Sequence, residues 1–421
     1  MSSDGSGRAF LRASAAIAPA LTIATLLQYV LQVIAAKRLP TGDFGAFGSL
    51  LALTVVGAVP LFAVQAVVAR RVAARVDDPL CAGIGRGSLV PSLRCGLLVG
   101  GGAGLLAWPT ATFLHVPLAA ALMMALALVP LPLVGAALGA AQGQRKHGEF
   151  VALYLAYSAT RLLFVIPVLW LHPTTTAAMG GVAAGSFAAG GLGTWLLLRT
   201  RAASQPAPRF GRDVLTTSLA LLSVLALAST DLLLARHRLP AAASDLYALG
   251  SLGARAVFWL LQFAGVAAYA ELASHASAAH RRRTLLSGFG VVVGLGLVGT
   301  GIAFVLPEQS VTTMLRPEYA PVVPLLPLFA ALGTALAAAQ YLVMAGVARG
   351  RERDGALLVG AAIVEALVLL FLPNPTVGRM VSIAAGITAL AACGLLVTTL
   401  RQVDDAAPLQ DVELPGQGGG L

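Results

Sequence analysis

Twelve runs of roughly twenty apolar residues, separated by short polar connections, leave this chain little choice of solvent. A helix needs about 20 mostly apolar residues to cross ~30 Å of hydrocarbon. The runs fall at 13–36, 44–69, 88–109, 117–141, 150–171, 177–198, 214–235, 246–270, 285–306, 320–347, 356–372 and 379–400. Hydrophobic residues make up 58% of the chain and charged ones 11%, where a soluble domain carries roughly a quarter charged. The expectation is an all-α membrane protein with about twelve transmembrane helices. Connections such as LPTGD, DDPL, HPTTT and LPNPTVG carry the turn formers that end each run.

An even number of passes puts both termini on one side, and charge says which. With odd-numbered passes starting in the cytoplasm, nineteen of the 28 Lys and Arg residues fall inside, six fall outside, and Arg94, Arg161 and Arg255 lie within passes. That bias follows the positive-inside rule. The net charge of +10 therefore reads as topology, with both termini cytoplasmic, and not as a nucleic-acid surface. Lys occurs only at 37 and 146 beside abundant Arg, Ala and Gly, the bias of a GC-rich bacterial genome, so the expected location is a bacterial plasma membrane. The first run exceeds a signal-peptide core and eleven more follow, so it is read as a retained helix.

Soluble chemistry leaves no trace. Cys81, Cys95 and Cys393 have no disulfide or metal spacing, with Cys81 expected in a cytoplasmic loop, and the six histidines are isolated. GIGRG at 83–87 looks superficially like a phosphate loop, but no strand precedes it and no Walker Lys follows. No enzyme activity, metal or cofactor is expected.

The chain repeats itself. KRLPTGDFGAFGSL (37–50) returns as HRLPAAASDLYALGSL (237–252), with RLP at an offset of 200 and Asp43/Asp245, Ala46/Ala248 and GSL at 202. The two segments join passes 1 and 2 and passes 7 and 8 on the same side, which implies two six-helix lobes in parallel orientation, related by an axis along the membrane normal. The third pass of each half is glycine-rich, with Gly96, Gly100 and Gly104 in one and Gly290, Gly294 and Gly296 among those in the other. The expected organisation is a cytoplasmic tail (1–12), a first lobe (13–198), a cytoplasmic linker (199–213), a second lobe (214–400) and a disordered cytoplasmic tail (401–421).

The opening LPTGDFGAFGSL turn with the following VARRVAARVDD, and STDLLLARHRLPAAASDLYALGSL in the second half, resemble the bacterial polysaccharide biosynthesis and oligosaccharide flippase proteins. These belong to the multidrug/oligosaccharidyl-lipid/polysaccharide (MOP) exporter superfamily. The resemblance spans residues 8–400 and implies two lobes around a central cavity that opens alternately to each side. Family members commonly carry a proline shortly after the eighth pass, where this chain reads AYAELA (268–273).

Mid-membrane charge is costly, so it points to cavities or partners. Arg161 shares a helical face with Tyr154, Tyr157 and Ser158, and Arg255 one with Ser251, Trp259 and Gln262. Thr25, Gln28, Tyr29 and Gln32 form a third polar stripe. A water-filled cavity explains all three; hydrogen bonding between packed helices is the alternative. Arg94, near the start of its run, is expected to snorkel to the headgroups. Asp231 near the outer end of pass 7 can pair with Arg236 or Arg238. Glu365, central in pass 11, aligns with Arg161 at an offset of 204 and reads as an ion-pair partner across the cavity or as an ion-coupling site. Pro19, Pro60, Pro130, Pro132 and Pro167 are expected bend points.

The expected cargo is a polyprenyl-diphosphate-linked glycan, since guanidinium groups match phosphate oxygens. Arg161 and Arg255 would hold the diphosphate; Tyr154, Tyr157 and Trp259 would contact sugar or lipid, and Gln28, Gln32 and Gln262 would complete the wall. Membrane lipids and glycosyltransferases or a polymerase of the same pathway are the expected partners. Two rivals stand beside this: a cation-coupled multidrug antiporter, which commonly uses an acidic residue in the first helix where 13–36 has none, and a transport-inactive scaffold of envelope assembly.

Overall fold

The computed structural model describes residues 3–75, 81–199, 210–272, 278–347 and 353–405, and among them it is helical with no strand. The first lobe consists of α1 (Ser3–Arg38), α2 (Asp43–Gly57) and α3 (Val59–Ala73) as one interrupted pass, α4 (Cys81–Gly87), α5 (Leu89–Leu105) and α6 (Ala107–Leu114) as the next, α7 (Leu118–Leu128) and α8 (Leu131–Gly143), then α9 (His147–Leu171) and α10 (Thr175–Leu198). The second lobe consists of α11 (Phe210–Arg238), α12 (Ala241–Leu272), α13 (Ala278–Val305), the short α14 (Glu308–Met314), a 3-10 segment (Pro317–Leu325) leading into α15 (Leu326–Val347), α16 (Arg353–Leu370) and α17 (Val377–Asp405). Among the described residues these make twelve passes, six to a lobe.

Prolines account for part of the segmentation. Pro60 opens α3, and Pro130 and Pro132 flank the start of α8. Each lacks an N–H and crowds the carbonyl four residues back, so the preceding helix stops. Pro19 and Pro167 break nothing, because α1 and α9 continue through them. Two expectations change. Helix α1 starts at Ser3, ahead of the apolar run, and 81–87 is a short helix, so Cys81 and GIGRG are not in a loop. Residues 200–209 and 406–421, where most of the linker and the tail fall, lie outside the described residues, as does 273–277.

The repeat is legible in the packing. In the first lobe α3 packs on α8, α9 on α10, α1 on α9, α10 on α7 and α8, and α5 on α7. Six passes later α12 packs on α15, α16 on α17, α11 on α16, α17 on α15, and α13 on α15. These are the same pairs. The outward surface is apolar because lipid is its solvent: Leu295, Leu297, Val298, Ile302 and Phe304 of α13 are exposed, and Arg94 lies on the exposed face of α5.

The twice-written segments meet each other at the outer end, as the charge bias defines it. A Cβ on Gly45 would sit 2.5 Å from Ser244 Oγ, and one on Gly48 would sit 3.3 Å from Ala248 Cβ. Small residues at these positions let α2 cross α12 at close range. Gly42, at φ 92, also takes the left-handed conformation that glycine adopts without penalty.

Candidate functional site

Between the lobes at mid-membrane lies a cavity of about 170 Å³. Its wall is drawn from both lobes: Gln28, Tyr29 and Gln32 of α1, Tyr154, Tyr157 and Arg161 of α9, Ser229 of α11, and Arg255, Phe258 and Trp259 of α12. Leu61, Phe62, Leu138, Leu225 and Leu336 complete an otherwise apolar surface. The three polar stripes of the sequence therefore converge on one space. Gln262 follows on α12, but its side chain lies outside the described residues.

The two arginines enter at matching depth. Arg161 is fourteen residues from the start of α9 and Arg255 fourteen from the start of α12, which at 1.5 Å per residue puts each about 21 Å along its helix. Since α9 and α12 start at opposite ends of the bundle, both arginines come to the middle of its length. Each is backed by a glycine on a neighbouring helix. A Cβ on Gly185 of α10 would come within 2.8 Å of Arg161 Cα, and one on Gly333 of α15 within 2.1 Å of the Ala254 carbonyl oxygen. These glycines press the arginine-bearing backbones toward the cavity. Nothing in their sequence context separates them from the other glycines of a chain that has 46.

Arg161 is 5% exposed, and its Nε and Nη2 have no hydrogen-bond partner. Its guanidinium lies over the Tyr157 ring, 4.6 Å from the centroid, a cation–π contact one helical turn away. The Tyr29 hydroxyl is likewise buried without a partner. Arg255 is partly buried and interacts electrostatically with Asp231 and with Tyr29. Among the described residues lining the cavity there is no carboxylate. The wall thus offers donors and positive charge.

Both acids sit elsewhere than expected. Asp231 does not pair with Arg236 or Arg238; it is 5% exposed and accepts a hydrogen bond from the Tyr247 hydroxyl at 2.9 Å, because its helical face turns inward against α12. Arg236 and Arg238 instead donate to backbone carbonyls, Arg236 to Leu114, Gly42 and His115, and Arg238 to Leu372. Glu365 makes no ion pair with Arg161. It is 1% exposed inside the second lobe, both its oxygens lack a hydrogen-bond partner, and its electrostatic neighbour is Asp231. The reason is that α16 packs behind α11, which separates it from the cavity. Asp231, Tyr247 and Glu365 form a buried cluster set back from the cavity, and Arg255 is the cavity cation with which Asp231 interacts electrostatically.

A partnerless carboxylate beside a second one destabilises a folded interior. Glu365→Leu, which removes the partnerless polar atoms at similar volume, is expected to raise thermal stability by about 1 kcal/mol or more, seen as a higher melting temperature in detergent. A lower one would mean that the carboxylate is held by something of value to the fold.

The outer ends of the lobes are sealed. Asp245 Oδ2 and Oδ1 accept from the Gly42 and Gly45 amides at 2.6 Å each, Arg316 donates to the Leu39 carbonyl at 2.8 Å, and the Tyr319 hydroxyl donates to the Ala36 carbonyl at 3.3 Å. At the opposite end Arg71 of α3 and Asp213 of α11 join the lobes at 2.7 Å. Hydrogen bonds between the lobes therefore close the end of the cavity that the charge bias marks as outer.

No protein-family model matches the chain, and no curated protein matches it in sequence. Solved structures do match in fold. An inward-facing multidrug resistance MATE family transporter of the MOP superfamily superposes with a TM-score of 0.72 at 13% identity, covering 90% of this chain and 94% of that one. An outward-facing MATE family transporter of the same superfamily gives 0.57 at 14% identity, with 94% and 96% covered. A MOP superfamily transporter from Pyrococcus furiosus, described as having a binding pocket of reversed polarity that suggests a different function, gives 0.58 at 13%, with 94% and 95% covered. The chain has the two-lobed fold of these transporters.

Proposed function

We propose that the chain is an alternating-access transporter that moves a lipid-linked oligosaccharide, carried on a polyprenyl diphosphate, from the inner to the outer leaflet of a bacterial plasma membrane. One observation carries the choice of cargo: the cavity presents two guanidinium groups and no carboxylate, with Arg161 Nε and Nη2 buried and unpaired. Unpaired buried donors cost free energy until an acceptor arrives, and a diphosphate brings acceptors in the geometry that guanidinium prefers. Tyr154, Tyr157 and Trp259 supply faces for sugar or lipid. The membrane, and the glycosyltransferases or polymerase that make and use such a cargo, are the partners this function requires. The Asp231/Glu365 cluster is positioned to couple an ion to the state of Arg255.

The rival is multidrug antiport, since fold neighbours are named as multidrug resistance transporters. Cationic drugs would meet two like charges in the cavity. The test is translocation in proteoliposomes of a labelled polyprenyl-diphosphate oligosaccharide beside a cationic dye. Movement of the lipid-linked glycan and not of the dye supports the proposal; movement of the dye alone overturns it in favour of antiport.

A further inference from the structure

We propose that Asp245 is the latch of the outer gate, holding the lobes shut by capping a helix that belongs to the other lobe. Helix α2 begins without a side-chain cap of its own, its cap position being Gly42. The first N–H groups of a helix have no partner within it, and here two of them are satisfied across the lobe boundary, one by each oxygen of Asp245. The carboxylate also faces the positive end of the α2 dipole. Arg236 makes the complementary contact, donating from Nε, Nη1 and Nη2 to the Leu114, Gly42 and His115 carbonyls at 2.9, 2.9 and 2.8 Å. Cation and anion therefore both leave the second lobe to satisfy backbone groups of the first.

The sequence repeat sharpens the assignment. Asp43 is the repeat equivalent of Asp245, and the two are not used alike. Asp43 hydrogen-bonds within its own lobe, where the Thr175 hydroxyl donates to its carboxylate at 2.9 Å, and reaches Arg236 of the other lobe only through space. Asp245 alone of this pair hydrogen-bonds across the boundary. Outer opening must therefore break both Asp245 bonds together and hand the α2 amides and the carboxylate to water. Water accepts that exchange at modest net cost, so the latch favours the closed state without making it permanent.

Asn at 245 can offer its carbonyl oxygen to one amide but turns an NH2 toward the other. The expected result of Asp245→Asn is a rise of about tenfold or more in the ratio of outer-open to outer-closed molecules, the range of a charge-assisted hydrogen bond. Asp43→Asn should leave the ratio near wild type. The readout is the distance distribution between spin labels at His172 and Glu308, exposed on the outer side of the two lobes, in a variant with Cys81, Cys95 and Cys393 replaced by Ser, reconstituted in lipid without cargo. A longer-distance population in Asp245→Asn and none in Asp43→Asn supports the latch. An unchanged distribution in Asp245→Asn, or equal shifts in both, overturns it. Gly45→Val provides a second route to the same readout if Asp245→Asn does not assemble, since its side chain would occupy the space through which the carboxylate approaches. Because no cargo is present, a wrong cargo assignment leaves the outcome unaffected.

Discussion

The double substitution Arg161→Ala/Arg255→Ala is expected to reduce lipid-linked glycan translocation by a hundredfold or more while the protein still inserts and folds. A hydrogen bond to a charged group contributes about 1.5–3 kcal/mol, or roughly ten- to a hundredfold per contact, and the two arginines are the cations that line the cavity. The single variants should differ in kind. Arg161 has no protein acceptor on Nε or Nη2, so Arg161→Ala removes an unpaired buried cation and costs the fold little. Transport falls while melting temperature holds. Arg255 is the cationic neighbour of Asp231, so Arg255→Ala leaves a buried carboxylate with less compensation and should lower both. Arg161→Lys is expected to recover only part of the activity, because an ammonium brings charge without the planar pair of donors. The measurement is initial translocation rate in proteoliposomes alongside melting temperature for each variant. Full activity in the double variant would remove the anion-binding role of the cavity.

That contrast bears on what sequence can and cannot show. A polar residue inside an apolar run stands out because its insertion is expensive, and so Arg161, Arg255, Gln28 and Gln32 could be named before any fold was known, and all four line the cavity. The lobe repeat was legible for a related reason: the 37–50 and 237–252 segments cross each other, and close crossing restricts them both to small residues. Asp231 and Glu365 were seen as unusual but misplaced, because their neighbours come from other helices: Tyr247 from α12 for one and the shielding α11 for the other. A helical wheel holds no record of which pass lies behind which. Gly185 and Gly333 were missed because, in a glycine-rich chain, the signal that matters is which backbone lies opposite. Pro60, Pro130 and Pro132 end or start helices while Pro19 and Pro167 do not, a difference set by how the freed carbonyls are accommodated nearby.

The same geometry predicts where the fold is least forgiving. Gly135, Gly139 and Gly143 recur every fourth residue of α8, and a Cβ at each would lie 2.3, 2.4 and 2.7 Å from the Leu61, Gln65 and Ala69 carbonyl oxygens of α3. Helices in lipid gain little from the hydrophobic effect when they associate, so van der Waals contact at close range carries much of their stability. The obstacle met by a side chain here is backbone, which cannot rotate aside. Gly139→Leu should force α3 and α8 apart, breaking the Gln65–Gln142 side-chain hydrogen bond of 3.0 Å and costing about 3 kcal/mol or more, at or beyond the upper end of ordinary overpacking. The expected observation is a melting temperature several degrees lower, or loss of folded protein from the membrane. Gly294→Leu is the matched control: a Cβ there meets nothing within 4 Å, so the new side chain should extend into lipid and leave stability near wild type. Equal losses from both substitutions would place the cost in helix propensity or insertion. A loss confined to position 139 places it in the α3–α8 contact, whose counterpart in the other lobe, α12 on α15, has one such glycine among the described residues, Gly333, against the Ala254 carbonyl directly behind Arg255. Tight packing of the second pass on the fourth, and of the eighth on the tenth, thus holds each lobe as a unit.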